Sequence, residues 1–296
     1  MTRTQSSTTR GYLYALLGAI CAGSFPTLVK YMLASEGPLI LSGLGILLSG
    51  FVLLLYRPSQ VPERGSVPYL LYIGIVGAGL APVLYTVGLN ETTAVNAALL
   101  ANGEVLFTTL IAFAAFGERL ARGQMLIGLL IIFGIVVVVT GLDLSTLQLQ
   151  QGLSGNLLIL AATAGWGLEN NLIVAATKKG FGAGLLSKFR NLIGGGLVTA
   201  YLIATGLTIN LSGYNGLLFF FLVLDLAGVT FLFIAALEKL GAIRMIFTYS
   251  LATVFGASFA LVFLGEELTI AQIAGGAIIL VGVFLFRRSE KPGFVP

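Results

Sequence analysis

Three carboxylates, Glu104, Glu169 and Asp225, each lie inside a long run of apolar residues. An ionisable side chain at membrane depth is costly and usually faces the protein interior, so each is a functional candidate. A carboxylate there could bind an ammonium group or exchange a proton, and the chain contains no His that could do so instead. Each carboxylate also has a structural alternative. Glu104 could be a hydrogen-bond partner of another helix. Glu169 could form an ion pair or an inner gate with Lys178 or Lys179, and Asp225 could pair with Arg190 or Arg244.

Aromatic and amide side chains gather around Glu169 in the sequence. Trp166 and Asn170 are four residues apart and therefore share one face of a helix, and Asn171 follows directly. This cluster is the strongest indication of a binding site in the chain.

Asn102 and Glu104 form a second polar group, beside Gly103. Residues two apart do not share a helix face, so we expect at most one of the two side chains to point straight into a cavity.

Two tyrosines complete the candidates. Tyr85 follows Pro82, and Tyr249 is followed by Ser250. Either ring could stack on a bound molecule or offer a hydroxyl, although tyrosines also anchor helix interfaces. The predicted binding residues are therefore Glu104, Glu169, Asn170, Trp166, Tyr85, Asn171, Asp225 and Tyr249.

Composition indicates which elements must position these residues. Of the 296 residues 57% are hydrophobic and 9% charged, whereas soluble domains are roughly 25% charged. A membrane-spanning helix needs about 20 mainly apolar residues. The sequence contains ten such runs, at about 11–33, 38–56, 67–88, 92–116, 123–141, 153–177, 186–205, 215–237, 241–264 and 269–287.

The basic residues predict how the runs are oriented. Short loops that carry Lys and Arg stay in the cytoplasm. With a cytoplasmic N-terminus, every Lys and Arg except Lys30 falls inside or near the inner end of a run. Both termini are then cytoplasmic, and we expect Lys30 to reach water at the outer end of the first run.

The chain also repeats a phrase. "FGERLARGQ" at 116–124 returns as "LGEELTIAQ" at 264–272, and an ungapped alignment of 89–134 with 237–282 contains eleven identities. Because each half would contain an odd number of runs, the second half must enter the membrane from the opposite face. Glu267 and Ile270 replace Arg119 and Arg122, as expected if only the first copy is cytoplasmic.

A weaker alignment relates the first runs of the two halves. Matching Gly11 to Gly155 and Gly23 to Gly167 places Pro26 opposite Asn170. Pro frees a backbone carbonyl and Asn supplies a polar side chain, so we expect both segments to line a cavity, with a simple packing kink at Pro26 as the alternative.

The duplicated "FGERL" and "LGEEL", each followed by a Gly-rich run, resemble the EamA domain of the drug/metabolite transporter superfamily. The resemblance extends from about Gly11 to Arg288. It implies an all-helical membrane protein of ten spans in two inverted repeats, at 11–141 and 153–287. It also implies a carrier in the bacterial or archaeal inner membrane, most similar to the amino-acid exporter branch.

The function expected from these features is secondary transport of a small metabolite by alternating access. The predicted cavity lies between the first, third, fourth, sixth, eighth and ninth spans. We expect no cofactor and no metal, because the chain has no His, one Cys and no "GxxxxGK[ST]" phosphate loop. Expected partners are the solute, the bilayer and, as a candidate coupling ion, the proton; nucleic acid is not expected.

Several alternatives remain open from sequence. The solute could be another metabolite or a drug, and a passive channel or scaffold would also fit ten spans. An intramembrane enzyme is disfavoured, because only carboxylates could supply its chemistry. The Gly-rich fifth and tenth spans are predicted to pack closely or to dimerise, so the protein could be a monomer or a homodimer.

Overall fold

The computed structural model describes residues 3–55, 67–116, 122–141, 152–206 and 213–289. Within these residues all regular secondary structure is helical. The α-helices are α1 (Arg3–Met32), α2 (Gly45–Val52), α3 (Val67–Tyr72), α4 (Ala81–Glu91), α5 (Ala94–Leu100), α6 (Gly103–Phe116), α7 (Arg122–Thr140), α8 (Leu153–Lys178), α9 (Ala183–Ala204), α10 (Gly213–Tyr249), α11 (Leu251–Phe259) and α12 (Ile270–Ser289). Tighter or wider helical turns extend several of them, at Ile40–Leu44, Leu53–Leu55, Ile73–Leu80 and Ala260–Leu264.

The helices are those of a membrane protein. Six in the described residues are long and apolar enough to cross a bilayer, and three further apolar helices are shorter. Many large apolar side chains on their outer faces are exposed, such as Leu126 and Phe133 on α7. Lipid can cover such faces, so the prediction of an all-helical membrane protein is confirmed.

Helix α10 contains a reversal of the chain. The ring centroids of Phe233 and Tyr249 are 4.9 Å apart, although 16 residues of straight helix would separate them by about 24 Å. Gly18 of α1 lies against both Leu232 and Tyr249. The chain therefore turns back between residues 233 and 249, in the region where the eighth and ninth runs were predicted to meet.

Ionic and polar contacts define one end of the helix bundle, here called the Lys30 face. The Lys30 ammonium donates to the carbonyl oxygens of Leu89 at 2.8 Å and Thr92 at 2.6 Å. The carboxylate of Glu266 accepts from the backbone N–H groups of Ala94 and Val95, at 2.8 and 2.9 Å.

Lys30 thus donates to carbonyls at the end of α4 while its side chain stays partly exposed, so the expected contact with water remains compatible with the structure. Such carbonyls have no partner within their own helix, which makes them strong acceptors for a nearby cation. Glu266, in the second copy of the repeated phrase, places a carboxylate at the N-terminus of α5. Residues 117–121 of the first copy lie outside the described residues.

The opposite end of the bundle, here called the Glu238 face, has its own contacts. Glu238 Oε1 accepts from the backbone N–H of Ala183 at 2.8 Å. The Lys179 ammonium lies 4.3 Å from the ring centroid of Tyr69, a cation–π contact. These contacts join the start of α9 to α10, and the end of α8 to α3.

Helices α7 and α12 pack against each other through glycines. A Cβ atom at Gly134 would lie 2.8 Å from Ile279 Cγ1, and one at Gly275 would lie 2.8 Å from the carbonyl oxygen of Gly134. A Cβ atom at Gly282 would lie 2.5 Å from Ile131 Cγ1. Gly134, Gly275 and Gly282 are therefore packing positions within this chain.

Substitution of Gly275 tests this packing. Gly275→Ala should lower the thermal unfolding midpoint in detergent, because overpacking a close contact costs about 1–3 kcal/mol. Gly123→Ala in α7 is the matched control, since a Cβ there would meet nothing within 4 Å. Equal midpoints for the two variants would contradict the close approach of α7 and α12.

Candidate functional site

A cavity of about 190 Å³ lies in the centre of the bundle. Its walls come from α1, α4, α6, α8, α9, α10 and α11, with single residues from neighbouring segments. Six of the eight predicted binding residues line it: Tyr85, Glu104, Trp166, Glu169, Asn170 and Tyr249. Pro26 lines it as well, opposite Asn170 in the alignment of the two halves.

A buried ion pair forms one wall of the cavity. The guanidinium of Arg190 binds Glu169 through Nε to Oε1 and through Nη2 to Oε2, the latter at 3.0 Å. The side chains are 13% and 4% exposed. The partner of Glu169 is therefore Arg190, and not Lys178 or Lys179, which are exposed at the end of α8.

Arg190 was missed as a site residue by sequence reasoning, which assigned it to the basic inner end of the seventh run. Its guanidinium also donates to the Gly77 carbonyl oxygen and to Asn191 Oδ1, each at 2.8 Å. A forked set of donors matched to a carboxylate and two further oxygens is the arrangement that makes a buried arginine tolerable. The only available signal was its place about two turns inside α9, beyond the start of the helix.

Gly77 fits this ion pair because it has no side chain. A Cβ atom at this position would overlap the carboxyl group of Glu169. Gly77 lies in the π-helical turns Ile73–Leu80, and its carbonyl also accepts from Trp166 Nε1 at 3.2 Å. One carbonyl thus holds both Arg190 and Trp166 at the cavity wall.

Glu104 faces the cavity from the start of α6. Its Oε1 accepts from Asn170 Nδ2 at 2.6 Å, and the same amide nitrogen lies 3.2 Å from Thr108 Oγ1. Glu104 therefore forms the predicted hydrogen bond to another helix, and it also lines the cavity.

Asn102 also lines the cavity, although it is only two residues from Glu104 in the sequence. The predicted single helix over 92–116 is broken into α5 and α6 by a turn at 101–102, so regular helical spacing does not apply. Asn102 Nδ2 donates to Thr253 Oγ1 at 2.6 Å.

Aromatic rings form an apolar part of the cavity wall. The ring centroids of Tyr85 and Trp166 are 5.3 Å apart, and those of Phe25 and Tyr85 are 5.6 Å apart. Such tilted pairs are favourable arrangements of aromatic rings. The cavity therefore combines charged groups with a mainly apolar lining.

Two predicted residues lie outside the cavity lining. Asn171 donates to the carbonyl oxygens of Thr108 at 3.0 Å and Gly167 at 2.9 Å, which ties α8 to α6. Asp225 Oδ1 accepts from Ser24 Oγ at 3.1 Å. The predicted partner Arg190 is bound to Glu169 instead, and the side chain of Arg244 lies outside the described residues.

These features define a polytopic helical membrane protein with a small central cavity that is both charged and aromatic. Comparison with known proteins agrees with this class of protein. The model of the EamA-like transporter family matches twice, at residues 9–140 and 153–288, and the chain belongs to this family. It is therefore a transporter and not an enzyme.

Two individual relatives have low sequence identity to this chain. An uncharacterized transporter of Methanothermobacter thermautotrophicus is 29% identical over 95% of this chain and 87% of its own. A probable amino-acid metabolite efflux pump of Salmonella typhimurium is 28% identical over 93% of each chain. One solved crystal structure has the same fold, with a TM-score of 0.64 and 21% identity over 97% of this chain and 99% of its own.

The ion pair can be tested by a double-mutant cycle. Arg190→Met should lower the free energy of unfolding by about 3–5 kcal/mol, because it leaves the Glu169 charge buried without a partner. The double variant Arg190→Met, Glu169→Gln should recover most of that loss, as measured by thermal or chemical unfolding in detergent. A double variant no more stable than Arg190→Met would contradict the pairing.

Proposed function

We propose that this protein is a secondary transporter that exports an amino acid, or a closely similar zwitterion, across the cytoplasmic membrane by alternating access. The observation that carries the proposal is the cavity itself, in which one guanidinium and two carboxylates lie beside an aromatic wall. A solute with one ammonium, one carboxylate and an apolar side chain is complementary to that set of groups.

The charged side chains of the cavity can be assigned to the two charged ends of such a solute. Glu169 and Arg190 neutralise each other, so Glu104 leaves the cavity with one net negative charge when ionised. We assign the ammonium group of the solute to Glu104. Among the described lining residues Arg190 alone is basic, and we assign the solute carboxylate to it.

This charge balance disfavours phosphorylated solutes. A multiply charged phosphate would need several convergent Lys or Arg side chains, and a single arginine already bound to a carboxylate does not supply them. The Salmonella relative, described as a probable amino-acid metabolite efflux pump, supports an amino-acid solute over other metabolites or drugs.

Reciprocal contacts support two inverted repeats of five helices. Gly134 meets Ile279, and Gly282, its equivalent in the second half, meets Ile131, the equivalent of Ile279. In the same way Gly23 packs on Phe255, and Gly167 packs on Phe107. Contacts that exchange under the sequence alignment are expected for halves related by a two-fold axis, an architecture common among secondary transporters.

Contacts that cross the halves must then rearrange during transport. Glu266 binds the N-terminus of α5 at the Lys30 face, and Gln272 Nε2 donates to Asn96 Oδ1 at 2.8 Å. In this proposal the Lys30 face is periplasmic or extracellular and both termini are cytoplasmic, as the distribution of Lys and Arg favours.

Transport assays on the purified protein test the proposal. In proteoliposomes, labelled neutral amino acids should show saturable uptake and counterflow, whereas nucleotide sugars and phosphorylated sugars should not. Glu104→Gln should strongly reduce uptake because it removes the charge that binds the ammonium group. Its fold should survive, since Gln can still accept from Asn170.

The matched control is Glu91→Gln, which removes a carboxylate bonded to Ser154 outside the cavity and should leave uptake unchanged. Uptake of a phosphorylated solute instead of amino acids would overturn the assigned substrate class. Uptake without saturation or counterflow would indicate a channel and overturn the carrier mechanism.

A further inference from the structure

Asp225 lies in the middle of α10, directly behind the cavity wall. Its neighbour Leu226 lines the cavity, but Asp225 itself does not. The carboxyl group faces α1, where Ser24 Oγ donates to Oδ1 at 3.1 Å and the Cys21 thiol lies beside it. Oδ2 is buried and has no hydrogen-bond partner among the described residues.

The surroundings of Asp225 contain little to compensate an ionised carboxylate. The described side chains of α2, α11 and α12, which pack near α10, include no ionisable group. From α1 the nearby groups are Cys21 and Ser24, and Tyr249 at the end of α10 is within electrostatic range.

Helix α9 also packs on α10 and carries two basic residues. Arg190 is bound to Glu169, and the Lys188 ammonium lies 5.4 Å from the ring centroid of Phe189. Neither forms an ion pair with Asp225 in the described structure. Of the three intramembrane carboxylates, Glu169 has a guanidinium and Glu104 an amide donor, while Asp225 has the Ser24 hydroxyl, the neighbouring Cys21 thiol and an open oxygen atom.

Asp225 also lies at the junction of the two halves. Its bond to Ser24 joins α10 of the second half to α1 of the first half. Phe25, next to Ser24, and Leu226, next to Asp225, both line the cavity. A change in the charge of Asp225 would therefore act on an interface that must shift when the halves rock.

We propose that Asp225 is a proton-binding site, separate from the solute-binding groups, that couples proton movement to transport. This inference rests on the proposed transport function for its coupling role, but proton binding itself does not. A proton binds to the open Oδ2 atom and forms a neutral carboxylic acid, which is compatible with the buried interface. When the α1–α10 interface opens to water, the acid releases that proton and the carboxylate is solvated.

Infrared titration tests proton binding without any solute. Reconstituted wild-type protein should show the carbonyl stretch of a protonated carboxylic acid that disappears as pH is raised. Asp225→Asn should remove this band, while Glu104→Gln should retain it. Ser24→Ala, a milder change, should shift the pH at which the band disappears, because it removes the hydrogen-bond donor to the carboxyl group.

A pH-sensitive dye inside proteoliposomes tests coupling. A solute gradient should drive proton movement in wild-type vesicles, and Asp225→Asn should reduce this movement to the level of protein-free vesicles while solute counterflow persists. The separate role of Asp225 would be overturned if Asp225→Asn abolished solute counterflow while Ser24→Ala changed neither the infrared titration nor the proton movement.

The two proposals fail in different ways. If the infrared band persists in Asp225→Asn and proton movement is unchanged, Asp225 does not bind the proton and the transport function stands. If wild-type protein moves no amino acid but the Asp225 band titrates as expected, the substrate class fails and the proton site stands.

Discussion

The buried ion pair between Arg190 and Glu169 is the interaction on which the centre of this protein depends. Neither charge could be held in a bilayer by itself, because lipid offers no hydrogen bonds and an isolated buried ion is strongly destabilising. The pair requires Gly77, whose missing side chain leaves room for the carboxyl group, and whose carbonyl accepts from Arg190. The ion pair thereby joins the Ile73–Leu80 turns, α8 and α9 at the cavity wall.

Elsewhere in the bundle, polar groups are also held by specific partners, both at its ends and between its two halves. At the Lys30 face, side-chain charges satisfy backbone groups that α4 and α5 leave without partners. Within the bundle, Asn102 and Asn170 reach across to the other half. Each of these two bonds joins a residue in the first EamA match to a residue in the second.

Much of the fold could be predicted because it depends on local composition. Runs of apolar residues predicted helices, and the helix bounds agree closely with most runs. The contacts of Gly23 with Phe255 and of Gly167 with Phe107 are related by the sequence alignments, but the alignments did not predict them. The break at 101–102 and the reversal within α10 were less accessible, because hydrophobicity reports depth in the membrane and says little about backbone direction.

The sequence by itself determined that the chain is a helical membrane protein, and it identified the cavity residues Glu104, Glu169 and Trp166 as unusual at membrane depth. Only the tertiary structure decided their partners. Arg190 resembles any other basic residue near a helix end, and its role depends on a carboxylate 21 positions earlier in the chain. The structure likewise placed Asp225 against Ser24, 201 positions away. Partners at such separations are set by how helices pack, which a pattern of single residues does not encode.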